Sequence, residues 1–162
     1  MSRISLIKQA GSLRSYFPKS KVKRNGEEEI IWISDVTPSP LSSTYKLKLH
    51  YKRNKGAEVY VLDPKPLPLA SGATVLPHVY STPEQRLCLY YPKDNEWNTS
   101  MLYVHTLIPW ACEWLCHYEL WVSTGTWHGG GIHHEEEAVK RNTPETETKD
   151  ETNTPIPKSQ QL

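Results

Sequence analysis

Residues 44–51 read TYKLKLHY, and their apolar and polar side chains alternate with a period of two. This alternation is typical of a β-strand with one buried face. Two neighbouring segments also favour strands: residues 29–34 (EIIWIS) precede the prolines of a TPSP sequence, and residues 58–62 (EVYVL) follow the turn signal NKG. Three consecutive strands joined by short turns predict an antiparallel meander.

Helical and extended patterns flank the predicted meander. Four apolar residues before it fall at helical spacing and predict a first helix that stops at Pro18: Leu6, Ala10, Leu13 and Phe17. After the third strand, the prolines at 64, 66 and 68 exclude regular ladder pairing. The chain is therefore expected to run extended there.

After about residue 88 the pattern becomes helical. Asn98 or Thr99 is expected to cap a short helix. This helix would carry Met101, Leu102, His105 and Ile108. Pro109 suits the first turn of a longer helix that Gly125 ends. Its apolar face follows the i, i+3, i+4, i+7 rule: Ala111, Trp114, Leu115, Tyr118, Trp121 and Val122. The order of helix, meander, crossing and helices predicts an α+β domain.

Composition excludes several classes of protein. The chain has 162 residues with 19 basic and 18 acidic side chains, and this balance argues against a dedicated nucleic-acid binder. No apolar run approaches the roughly 20 residues of a membrane span, and residues 1–17 lack the apolar core of a secretory signal. Three cysteines do not make a disulfide framework. We expect a cytoplasmic protein with neither a membrane nor a nucleic acid as its partner.

Charge is unevenly distributed between the two ends of the chain. Residues 1–25 carry seven basic and no acidic side chains, which we interpret as a solvated surface, with contact to an anionic partner as the alternative. Residues 135–162 carry seven acidic and four basic side chains among Thr, Pro, Ser and Gln. So few apolar residues cannot bury enough surface to order a segment. We therefore predict a folded domain over residues 1–134 and a disordered polar tail over residues 135–162.

Cys88 is the first candidate for chemistry. It lies in the sequence RLCLY at residues 86–90, after the irregular segment LPHVYSTP at residues 76–83, which contains His78. A cysteine just outside a strand, close to a histidine, is a plausible nucleophile. Most free cysteines instead behave as small buried hydrophobes, and this interpretation stays open.

A second group of residues could bind a metal. Its members are cysteines and histidines near the end of the patterned region: Cys112, Cys116, His117, His128, His133 and His134. Cys112 and Cys116 are four residues apart on the predicted last helix, close enough to share a zinc ion with a histidine from the following loop. The helix is also well patterned for packing, so a structural role for both cysteines is the alternative.

Five of the six tryptophans lie between residues 97 and 127. Trp114 and Trp121 fall on the apolar face of the predicted last helix, and we expect both in the core. Trp110 and Trp127 are expected to be more exposed. Residues 129–131 are three glycines, but they lack the Lys and Ser or Thr of a phosphate-binding loop, so we interpret them as a close-packed turn.

The spacing around Cys88 resembles the active-site segment of ubiquitin-conjugating enzymes. His78 precedes Cys88 by ten positions, and Trp97 follows it by nine. The sequences PWA at residues 109–111 and GGGIH at residues 129–133 resemble more specifically a bacterial branch, the stand-alone ubiquitin-conjugating-like protein of cyclic-oligonucleotide-based antiphage signalling operons. This resemblance covers roughly residues 28–134 and implies the ubiquitin-conjugating-enzyme-like fold.

The resemblance implies a cysteine-dependent transferase that needs no cofactor. Cys88 would form a thioester with the C-terminus of a cGAS-like nucleotidyltransferase, and the chain would prime or regulate that enzyme. His78 would orient the site, accept a proton or hold the flap by bonding the backbone. A non-catalytic binding module of the same fold, or a small zinc-binding protein, is the alternative.

The sequence departs from the family pattern directly after His78. Val79 and Tyr80 follow it, whereas the resemblance leads us to expect Pro and Asn. In the eukaryotic enzymes this Asn is thought to support the oxyanion that forms as an amine attacks the thioester. Backbone N–H groups near Cys88 and the imidazole of His78 are the expected substitutes.

Overall fold

A computed structural model describes residues 1–130 and places one six-stranded antiparallel sheet with two α-helices. The elements follow in this order: α1 (Leu6–Tyr16), β1 (Lys21–Asn25), β2 (Glu29–Val36), β3 (Tyr45–Lys52), β4 (Gly56–Asp63), β5 (Val79–Ser81), β6 (Arg86–Leu87) and α2 (Leu107–Thr124). The predicted α+β class is confirmed. The predicted domain end at residue 134 and the predicted tail lie outside the described residues.

The strands are ordered β1-β2-β3-β4-β6-β5 across the sheet. The predicted meander is confirmed as β2, β3 and β4, with Trp32 opposite Leu49 and Leu49 opposite Val59. The alternation of residues 44–51 has the expected effect, because Leu47 and Leu49 are fully buried. A single core unites this inner face of the sheet with the buried faces of both helices.

β1 is a strand that the sequence patterns do not indicate. It occupies part of the basic N-terminal stretch and pairs antiparallel with β2, from Lys21 opposite Ile33 to Asn25 opposite Glu29. Four of its five residues are exposed, so no alternation of apolar side chains marks it. Charged side chains are common on such edge strands, where they discourage pairing with another chain.

The predicted short helix after Asn98 is wrong. This region contains only a 3₁₀ turn at Tyr103–His105, and the side chain of Asn98 accepts the N–H of Ser100 within a tight turn. The buried side chain of Gln9 on α1 hydrogen bonds to backbone groups of this region that would otherwise bond within a helix. Its amide donates to the Met101 carbonyl at 2.8 Å, and its oxygen accepts the Tyr103 N–H at 3.1 Å.

α2 is close to its prediction. Pro109 lies in its first turn, and Gly125 ends it with a φ of 76°, a left-handed conformation that glycine adopts without strain. The residues predicted for its apolar face are buried, except for the partly exposed Val122. Trp114 and Trp121 are in the core, and Trp110 and Trp127 are partly exposed, as expected. No helix within residues 1–130 has the length and apolar character to cross a membrane.

The proline-rich crossing leaves the end of β4 and forms no strand, as predicted. The carboxamide of Gln85, which is 2% exposed, anchors it. Its oxygen accepts the Leu67 N–H at 2.6 Å, and its nitrogen donates to the carbonyls of Val61 and Pro64, each at 3.0 Å. Through these bonds Gln85 joins the crossing to β4. Gln85 also directly precedes β6, the strand that leads to Cys88.

Candidate functional site

The structure brings Cys88 and His78 together at one edge of the sheet. β5 and β6 pair antiparallel, with Val79 opposite Leu87. His78 precedes β5 and Cys88 follows β6, so the same pairing continues to them. The backbone N–H of Cys88 donates to the carbonyl of His78 at 3.0 Å. The ten-residue spacing seen in the sequence is therefore the length of one tight hairpin.

Cys88 lies beside a groove of about 320 Å³ between this sheet edge and α2. Side chains from α2 line it together with residues that follow this helix. The groove is lined by His78, Cys88, Leu89, Glu96, Trp110, Glu113, Trp114, His117, Trp127 and Gly130. A second groove of about 380 Å³ also has Cys88 and Glu96 in its wall. The half-buried cysteine thus lines two grooves that share several of their lining residues.

The thiol of Cys88 has a raised pKa. Its burial raises the pKa most, the nearby hydroxyl of Tyr80 lowers it through a hydrogen bond, and the charge of Glu96 raises it further. The sulfur also lies 3.9 Å from the Tyr90 carbonyl, to which it can donate. The resting group is therefore a thiol rather than a preformed thiolate, and reaction requires loss of its proton.

His78 contributes its backbone as well as its ring. Its φ of 49° is in the left-handed region, and its side chain is 3% exposed. The ring packs on Trp127 with centroids 4.8 Å apart. Its carbonyl accepts two hydrogen bonds, from the Cys88 N–H and from the indole N–H of Trp114 at 2.9 Å. This carbonyl fixes the turn before β5 to both the cysteine and α2.

The Cys88 N–H is consequently already used. It is one of the backbone N–H groups that were expected to support an oxyanion, but it donates to the His78 carbonyl at 3.0 Å. A tetrahedral intermediate on the Cys88 sulfur would need a different donor. The hydroxyl of Tyr80 on β5 is hydrogen bonded to this sulfur.

Trp114 offers a test of how the turn is held. We expect Trp114→Phe to lower the free energy of unfolding by about 1–3 kcal/mol, because it removes a buried hydrogen bond to His78 and leaves a small cavity. Urea denaturation followed by circular dichroism measures this change. Trp110→Phe is the matched control, since partly exposed Trp110 lies one helical turn earlier. Equal losses in the two variants would contradict a specific role for the indole N–H.

The cysteines of the proposed zinc site lie on α2. Cys112 packs against the hydrophobic core, and burial raises the pKa of both Cys112 and Cys116. His117 instead faces the groove, with its Nε2 3.8 Å from a carboxylate oxygen of Glu113. Within residues 1–130, no three His, Cys, Asp or Glu side chains are placed to hold a metal ion together. His133 and His134, which the zinc hypothesis also used, lie outside this part of the chain.

Sequence reasoning missed several residues of this site. Tyr80 is two residues after His78, and strand alternation over residues 78–80 was the available signal for it. Glu113 lies four residues before His117 on α2, at the spacing of a helical pair, whereas the sequence patterns suggested His117 only as a metal ligand. Glu96 comes from the loop before α2, where it accepts the Tyr91 N–H at 3.0 Å. No sequence pattern indicates that this loop reaches Cys88.

Comparison with protein families places the chain in a known family. The family described as Type II CBASS E2 protein matches residues 9–135. The matched region includes most of α1, the whole sheet, Cys88 and α2. A comparison with curated proteins found no match to the chain.

Proposed function

The chain belongs to the Type II CBASS E2 family of bacterial antiphage defence, and from this premise we propose that it is a cysteine-dependent transferase. Cys88 accepts the C-terminal acyl group of a CBASS cGAS-like nucleotidyltransferase as a thioester and passes it to an amine. The chain thereby primes or regulates that nucleotidyltransferase. We also propose that its helix, antiparallel sheet and later helix form the ubiquitin-conjugating-enzyme-like fold.

The observation that carries this proposal is the position of Cys88. A half-buried sulfur opens onto a groove of about 320 Å³ at a sheet edge that backbone hydrogen bonds hold in place. A sulfur so placed can be reached by a chain terminus. Sulfur suits the task because it is a good nucleophile and a good leaving group.

The two steps balance without a cofactor. In the first, the Cys88 sulfur bonds to the carbonyl carbon of an acyl group that another enzyme has already activated, as an acyl adenylate or as a thioester. The bond from that carbon to AMP or to the other sulfur breaks with its electron pair on the leaving group, and the proton of the Cys88 thiol passes to water. In the second, an amine nitrogen bonds to the same carbon and loses a proton to water, and the carbon–sulfur bond breaks with its electron pair on sulfur. His78 fixes the sulfur's position through its carbonyl, which accepts the Cys88 N–H.

Intact-protein mass spectrometry after co-expression with the nucleotidyltransferase encoded beside it tests this proposal. Without reductant we expect an adduct equal to the two proteins less one water. Neutral hydroxylamine should cleave this adduct, which distinguishes a thioester from a disulfide. Peptide mapping should place it on Cys88, and Cys112→Ala and Cys116→Ala should retain it.

Another outcome would overturn the transferase proposal. If the two proteins co-purify and no hydroxylamine-sensitive adduct forms, the chain is a binding module and Cys88 is a packed thiol. An adduct that maps to Cys112 or Cys116 would also refute the assignment of Cys88.

A further inference from the structure

Tyr80 is a neighbour of the Cys88 sulfur that the proposed reaction has not yet used. It lies in the middle of β5, and its hydroxyl is hydrogen bonded to the Cys88 thiol. The same hydroxyl lies 3.4 Å from the Tyr90 carbonyl, the group to which the thiol also points. The hydroxyl, the sulfur and this carbonyl therefore form one cluster beside the groove.

Neighbouring strands hold the Tyr80 ring in place. The guanidinium of Arg86 on β6 lies over it, 4.8 Å from the ring centroid, and is itself paired with Glu58 on β4 at 2.9 Å. A cation on this face of the ring is attracted to its π electrons. The Arg86 guanidinium, which is held by Glu58, therefore packs on the Tyr80 ring and fixes its orientation, with the hydroxyl beside the sulfur.

The Tyr80 hydroxyl is protonated at neutral pH and can therefore donate a hydrogen bond. Burial raises the pKa of its phenol most, and the neighbouring Cys88 raises it further. The phenol therefore keeps its proton at neutral pH, whereas a thiolate on Cys88 can only accept. When Cys88 is a thiolate, the Tyr80 hydroxyl can donate its one proton to the sulfur instead of to the Tyr90 carbonyl, which it reaches at 3.4 Å.

We propose that Tyr80 is a catalytic residue of the reaction above, whose hydroxyl donates to the Cys88 sulfur and stabilises the thiolate that attacks and later leaves. This inference rests on the proposed transferase function for its role in the reaction. The phenol stays protonated throughout and forms no covalent bond. In the second step the sulfur departs with the electron pair of the broken carbon–sulfur bond, and the Tyr80 hydrogen bond lowers the energy of that charge.

Other titratable groups also lie around Cys88. Glu96 places a negative charge near the sulfur and so opposes a thiolate. Across the groove, α2 presents Glu113 and His117, and the buried ring of His78 lies on the hairpin side. Tyr90 comes from the segment after Cys88, and its hydroxyl donates to the Ala57 carbonyl at 3.3 Å rather than to the sulfur.

The pH profile of Cys88 alkylation tests this inference on the full chain alone. Iodoacetamide is applied from pH 6 to pH 11, and peptide mass spectrometry follows Cys88 separately from Cys112 and Cys116. We expect Tyr80→Phe to move the midpoint upward by about one pH unit, since the lost bond goes to a charged group. At pH 7 the fraction of Cys88 present as thiolate should fall about tenfold in this variant. Because a thiolate of higher pKa is more nucleophilic, the rate of Cys88 alkylation should fall only about threefold.

Tyr60→Phe is the matched control. It makes the same chemical change on β4, where the Tyr60 hydroxyl donates to Glu58 at 2.8 Å, and we expect its midpoint to equal that of the wild type. An unchanged midpoint in Tyr80→Phe would overturn the inference, because a merely structural role would alter stability and leave the thiol pKa in place. The outcome is independent of the nucleotidyltransferase. A shifted midpoint without any adduct on co-expression refutes the transferase function alone, and an adduct with an unshifted midpoint refutes the Tyr80 inference alone.

Discussion

Replacing Cys88 with alanine is expected to abolish the hydroxylamine-sensitive adduct with the nucleotidyltransferase completely. Alanine has no atom that can bond to the acyl carbon, so the loss should reach the detection limit rather than a few-fold reduction. Intact-protein mass spectrometry of the co-expressed pair, without reductant, measures it. Cys112→Ala is the matched control, because it removes another half-buried thiol and should leave the adduct unchanged.

The alanine variant should remain folded and should keep its partner. The Cys88 side chain is half-buried, and its side-chain hydrogen bonds are to Tyr80 and, at 3.9 Å, to the Tyr90 carbonyl. We expect a change of about 1 kcal/mol or less in the free energy of unfolding. The pair should therefore still co-purify without a covalent bond. An adduct that persists in Cys88→Ala would show that another nucleophile accepts the acyl group.

The sequence predicts those elements whose side chains alternate or repeat with a clear period. β3 is recognisable because each second residue from Tyr45 to Tyr51 is buried against the core. α2 is recognisable because its buried residues recur at helical spacing and Gly125 ends it. In both elements, the periodicity that a helix or strand imposes coincides with one buried face.

The remaining elements are defined by contacts distant in sequence. β1 is an exposed edge strand of Lys21–Asn25 that only its pairing with β2 reveals. β5 and β6 have three and two residues, too short for any periodicity to be read. The turn at Tyr103–His105 replaces the expected helix because Gln9, on the first helix, bonds to the backbone there.

In the candidate site, too, the sequence indicates some features and not others. The spacing of His78 and Cys88 in the sequence is enough to suggest that they are neighbours, and their hairpin is the physical reason. Sequence does not indicate that the Cys88 N–H is spent on His78, or that the Tyr80 hydroxyl reaches the sulfur. Both facts depend on the register of β5 with β6, which a one-residue slip would reverse.

The second large effect is expected at Gln85, and it concerns stability. Gln85→Leu nearly keeps the size of the side chain and removes three hydrogen bonds: two buried ones with Leu67 and Val61, and a partly buried one with Pro64. We expect the free energy of unfolding to fall by about 3–5 kcal/mol, because each buried backbone group left without a partner costs about 1–3 kcal/mol. This is a large share of the roughly 5–15 kcal/mol that stabilises a domain. Urea denaturation followed by tryptophan fluorescence measures the loss.

The adjacent variant Glu84→Leu separates hydrogen bonding from hydrophobic substitution. Glu84 is exposed, so the same new side chain there should change stability by only about 0.5 kcal/mol. Gln85 has a φ of 53°, but glutamine and leucine both carry a Cβ, so backbone strain contributes similarly before and after the change. A loss below about 1 kcal/mol in Gln85→Leu would show that water or repacking replaces the carboxamide. A large loss would show that the Gln85 carboxamide stabilises the junction between the proline-rich crossing and the strand edge that carries Cys88.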